Sequence, residues 1–85
     1  MQSMADLENN VMLSEIAGVM AAVDPIRAER IAQSITSERS RESALAEIAG
    51  AVAGIDPDRA ERIAESITDK AVRAWTLSAI AMATL

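Results

Sequence analysis

The chain has 85 residues, carries a net charge of −5 and contains neither cysteine nor histidine. This composition excludes a disulfide framework, a zinc site built from cysteine and histidine, and catalysis by a histidine base or a cysteine nucleophile. The negative charge argues against a nucleic acid or an anionic membrane as partner, because both bind basic surfaces. We therefore expect a single small domain with no enzymatic activity, no metal and no cofactor.

Hydrophobic residues make up 51% of the chain but aromatic residues only 1%, so alanine and aliphatic side chains must form the core. Such residues favour closely packed helices over sheets, which predicts an all-α protein. The first ten residues lack the basic region and apolar stretch of a secretory signal, and no apolar run approaches the roughly 18 residues of a membrane span. Together with the absence of cysteine, this predicts a cytoplasmic protein.

The first two predicted helices cover about residues 4–22 and 25–35. From Leu13 onward the first helix carries apolar residues at spacings of three, four and seven, which line one face of a helix. The second helix starts at an Asp-Pro pair. Asp24 can cap it by accepting a backbone N–H bond, and Pro25 suits the first helical position, where no amide donor is needed.

Three further helices are predicted at about residues 38–53, 57–67 and 69–83. Asp56 begins a second Asp-Pro pair and is expected to cap the fourth helix. Gly54 is expected to help end the third helix, because glycine tolerates the left-handed conformation common at helix ends.

The order of these signals repeats along the chain, since residues 13–44 and 45–76 align without a gap and agree at 18 of 32 positions. At the joints that lead into the third and fifth helices, the candidate caps are Thr36 or Ser37 and Thr68 or Asp69. The predicted organisation is one repeat domain, 1–85, with repeat 1 at about 5–36, repeat 2 at about 37–68 and a C-terminal half-repeat helix at 69–85.

A helical hairpin of this length resembles the tetratricopeptide repeat, whose period is about 34 residues. The turn IDPDRA at Ile55–Ala60 is similar to the family's inter-helix turn and the small residue that follows it, and Ala28 is the equivalent in the first copy. Tyrosine and phenylalanine, which the family uses in its first helix, are absent. The string is also similar to tandem arrays in large bacterial multidomain proteins, and longer HEAT-like repeats remain an alternative.

The resemblance implies a right-handed stack of antiparallel helical hairpins, an α-solenoid, that binds proteins or acts as a scaffold. Two features suggest where it could bind. Arg41 and Arg73 recur at one repeat position, either as a cation ladder for an acidic peptide or as surface charges of a first helical turn. Trp75, the only aromatic residue, either packs on the preceding hairpin or anchors a partner in a groove.

The last predicted helix has no second helix after it in this sequence. We expect Leu77, Ile80 and Met82 to be left open there, together with Ala81, and to favour self-association by face-to-face packing or helix exchange. The predicted function is a protein-interaction or scaffold module that binds a protein or peptide, including itself. The alternative is a natural fragment or an engineered piece of a longer array whose main property is homo-oligomeric assembly. One form of that assembly is the exchange of a helix between copies.

Overall fold

The computed structural model describes residues 4–85, without the side chains of residues 6 and 7. The predicted domain also includes residues 1–3, which lie outside this range. The described residues form five helices and no strand, which confirms the all-α class for that part of the chain. In chain order the helices are α1 (Met4–Met20), α2 (Pro25–Gln33), α3 (Glu38–Val52), α4 (Pro57–Glu65) and α5 (Lys70–Ala83).

Both Asp-Pro pairs start a helix as predicted. The Asp24 side chain accepts a hydrogen bond from the backbone N–H of Arg27 at 3.2 Å, and Asp56 accepts one from Arg59 at 3.1 Å. Each aspartate is followed by a proline at the first helical position. The two caps satisfy backbone donors that would otherwise have no partner inside the helix.

The turns before these caps do not use glycine in a left-handed conformation. No glycine in the described range has a positive φ, so the prediction for Gly54 was wrong. The turn is closed instead by a 2.7 Å hydrogen bond from the backbone N–H of Asp56 to the carbonyl of Val52. The first copy makes the same 2.7 Å bond between Asp24 and Met20, with an alanine where the second copy has Gly54.

The joints that return to α3 and α5 are capped by the second of the two candidate residues in each case. Ser37 accepts a hydrogen bond from the backbone N–H of Ser40 at 3.4 Å. Asp69 accepts two, from Ala71 at 2.9 Å and from Val72 at 3.1 Å. The two threonines before these caps are thereby free for other contacts.

Helix α3 lies at the centre and packs against the other four helices. Besides these contacts, α1 packs against α2 and α4 packs against α5. Most core residues are alanines, and the largest fully buried side chains include Ile35, Ile48, Ile63 and Ile67. Small side chains allow close approach of the helices, which is how a core with almost no aromatic residues is filled. None of the described helices is long and apolar enough to cross a membrane.

Candidate protein-interaction surfaces

Helices α1, α3 and α5 occupy the same place in the sequence repeat, so their residues can be compared position by position. Helix α3 has packed neighbours on both sides. Helix α1 packs against α2 and α3, and helix α5 packs against α3 and α4. A residue buried in α1 therefore faces later helices of the chain, and a residue buried in α5 faces earlier ones.

One set of equivalent positions is covered in α3 but open in α1. Ala44 and Ile48 of α3 are 1% and 0% exposed. Their equivalents in α1, Met12 and Ile16, are 55% and 43% exposed. We name Met12 and Ile16 the leading face. It is an apolar surface at a place where the central helix is fully buried.

The same positions in α5 correct one expectation about the C-terminal helix. Ile80 is only 6% exposed and Thr76 is buried beside it, so Ile80 does not lie on an open surface as predicted. Because α5 packs against α3 and α4, Ile80 must face these preceding helices. Leu77 is half-buried against the core, whereas Met82 is exposed as expected.

A second set of positions is covered in α1 and α3 but open in α5. Ala17 of α1 and Ala49 of α3 are both fully buried, whereas their equivalent in α5, Ala81, is exposed. Ser78 and Ala74 lie about one and two turns earlier on the same side of α5 and are also exposed. We name Ala74, Ser78 and Ala81 the trailing face. No described residue buries these three side chains.

Polar side chains of α1 and α3 form hydrogen bonds with the turn before the next helix of the stack, and we name each of these contacts a clasp. The Asn10 amide donates to the Thr36 hydroxyl at 3.2 Å and accepts from its backbone N–H at 3.3 Å. At the equivalent positions Glu42 accepts from the backbone N–H of Thr68 at 2.7 Å, from the Thr68 hydroxyl, and from the backbone N–H of Asp69 at 3.3 Å. The Thr68 hydroxyl bond is the main cause that lowers the pKa of the Glu42 carboxyl, and the two backbone donors add to it against the opposing effect of burial.

Neither the clasps nor the leading face was predicted from the sequence. Thr36 and Thr68 recur at one repeat position, but a threonine directly before a helix also indicates a helix cap, which is the role we predicted for it. The residues that bind them differ between the copies, Asn10 in the first and Glu42 in the second. The aligned repeats therefore show no identical residue at that position that would indicate the contact. Ile16 was placed in the apolar stripe of its helix, and only the packing shows that it lies on the uncovered part of that stripe.

Trp75 lines a shallow groove of about 370 Å³ between α3 and α5. Val72 and Ala46 form its apolar wall, while Arg39 and Glu47 lie at the same groove. The indole lies beside residues of α3 in this groove, yet Trp75 is 66% exposed. The groove thus offers one aromatic side chain with a cation and a carboxylate near it.

Arg41 and Arg73 bind the chain's own backbone. The Arg41 guanidinium donates to the carbonyl of Ile35 at 3.0 Å, and that of Arg73 donates to the carbonyl of Ile67 at 3.3 Å. Each contact joins an early turn of α3 or α5 to the turn that precedes that helix, where the Ile35 and Ile67 carbonyls lie outside any helix. This structural role accounts for the recurrence of both arginines without a bound peptide.

In the described part of the chain, no three carboxylates are grouped as a cation site would require. Among the described residues, Arg59 of α4 and Glu29 of α2 form an ion pair between two helices, 3.7 Å apart. No protein-family model, curated protein or solved structure matches the chain. Its function must therefore be inferred from its exposed surfaces.

Proposed function

We propose that this chain is a non-catalytic protein-interaction module, an α-solenoid of tetratricopeptide-like hairpins that associates with itself through its exposed helical faces. One observation carries the proposal: Ile16 on the leading face and Ala81 on the trailing face are exposed, while Ile48 and Ala49 at the same repeat positions of α3 are buried. Covering apolar surface is favourable by about 25 cal/mol per Å².

The solenoid arrangement is supported by contacts that recur with the sequence period. The Asp24 and Asp56 caps lie one period apart, as do the clasps that start from Asn10 and Glu42. Units that contact mainly their sequence neighbours are typical of a solenoid, in which each added unit buries the open face of the one before.

A second candidate function is the binding of a foreign peptide in the groove beside Trp75. The observation that favours it is the exposed indole in a groove that Arg39 and Glu47 also line, because tryptophan is enriched at the centres of protein interfaces. In this function Trp75→Ala removes binding of a partner, whereas Met82→Ala, at another exposed position of α5, leaves it intact.

The two functions are separated by the mass of the pure protein in solution. Self-association predicts that the mass in sedimentation velocity rises between about 1 µM and several hundred micromolar, a range typical of modest interfaces. A mass of one chain at every concentration would contradict it. Exchange of a helix between copies, the alternative form of assembly, predicts a dimer that dissociates only as fast as α5 undocks.

The single tryptophan provides a second readout for the same experiment. Trp75 shares its repeat position with Val11 and Ser43, each of which lines the groove beside the following helix of the stack. A second copy on the trailing face should therefore approach the exposed indole and shift its emission to shorter wavelength. Association without any change of the emission would contradict a contact at this end of the chain.

A further inference from the structure

We propose that the leading face of one copy binds the trailing face of a second copy, so that copies add end to end and the assembly does not stop at a dimer. The partner is a second copy of this chain, and the inference rests on the proposed self-association. It goes further because it states which surfaces meet and what kind of assembly results.

The contact continues the part of the internal packing that joins α1 to α3 and α3 to α5. Inside the chain α3 also packs on α2 and α5 also packs on α4, and the contact between copies has no counterpart of that second helix among the described residues. Where α3 follows α1, the buried Ile48 belongs to the covering helix and the buried Ala17 to the covered one. Where α5 follows α3, Ile80 and Ala49 occupy the same places. A large side chain on one helix is thus matched by an alanine on the other. The two exposed faces offer the same combination, with Ile16 on the leading face and Ala81 on the trailing face.

The clasp positions provide an independent match between the two ends. Inside the chain each clasp pairs two polar residues, Asn10 with Thr36 and Glu42 with Thr68. The position one period after Glu42 is Ala74, and the position one period before Thr36 is Met4, which is exposed. Both positions are apolar at the free ends, so the contact leaves no side-chain donor or acceptor buried without a partner there.

Pairing of like faces would not reproduce this packing. Two leading faces would set Ile16 against Ile16, and two trailing faces would set Ala81 against Ala81. Only the unlike pair restores the large-to-small match of the internal contacts. A contact between unlike faces leaves one free face of each kind on a pair of copies, so further copies can add to the pair.

Single charges placed on each face test the inference. Ile16→Glu blocks the leading face and Ala81→Glu blocks the trailing face, and both residues are exposed in the single chain. Val19→Glu and Ala83→Glu are the matched controls, because these two residues share one repeat position that is exposed in α1, α3 and α5 alike. Met12→Glu replaces Ile16→Glu if the circular dichroism melt of the latter shows a folding defect.

The expected result in sedimentation velocity has three parts. The wild type and both controls gain mass with concentration and reach no plateau at two copies, each face variant alone stays at the mass of one chain, and an equimolar mixture of the two face variants forms a species of two copies and nothing larger. Dimers of a single face variant, or a wild-type plateau at two copies, would overturn the end-to-end contact while leaving self-association in place. A wild type that stays monomeric would instead defeat the proposed function itself.

Discussion

Replacement of Glu42 by alanine removes a carboxylate that holds the start of α5 against α3. The variant loses three hydrogen bonds, two from Thr68 and one from the backbone N–H of Asp69. Hydrogen bonds to a charged group contribute about 1.5 to 3 kcal/mol, and removal of a partner costs more when the other is left buried. Thr68 and Asp69 are exposed, so water can bind the released donors, and we expect a loss of about 2 kcal/mol.

For a domain of this size, that loss lowers the melting temperature by about 8 to 16 °C. The assay is thermal and urea unfolding at pH 7, followed by circular dichroism at a concentration where the protein is monomeric. Glu47→Ala is the matched control, because it removes the same charge from an exposed position of α3. Asn10→Ala removes the uncharged clasp and should cost less, about 0.5 to 1.5 kcal/mol. If Glu42→Ala melted like Glu47→Ala, the carboxylate would not stabilise the stack, and the reasoning from its contacts would fail.

Three further outcomes are expected. The pKa of the Glu42 carboxyl is lowered in the folded state, so the charged carboxylate stabilises the fold fully above the unfolded pKa of about 4.3, and this stabilisation is lost as the pH falls through the folded pKa. The difference in unfolding free energy between wild type and Glu42→Gln, measured by urea unfolding, should therefore shrink as the pH falls over that range. A difference that grew would contradict the lowered pKa. Gly50→Ala should stabilise α3 by about 0.5 to 1 kcal/mol in the same assay, because the added methyl meets no atom within 4 Å, whereas Gly18→Ala, whose methyl would lie 3.3 Å from a Glu47 oxygen, should gain less. Asp56→Ala should cost about 1 kcal/mol through loss of the α4 cap, and an unchanged urea midpoint would refute the capping role.

The residue sequence by itself determines where the helices form. Asp24 and Asp56 cap helices through bonds to residues three positions later, and the prolines act on their immediate neighbours. Such local interactions do not depend on the rest of the fold, so five helices could be predicted with their ends within about two residues. The error at Gly54 arose because the turn closes through the Val52 carbonyl with no left-handed residue.

Only the tertiary structure decides which side of each helix is covered. The apolar spacing that includes Ile16, Ile48 and Ile80 is the same in all three copies, yet the first is exposed and the other two are buried. A helical period identifies an apolar face without indicating whether earlier or later helices pack on it. The clasps at Asn10 and Glu42 were hidden for the same reason, since each joins residues 26 positions apart that meet only when the helices stack.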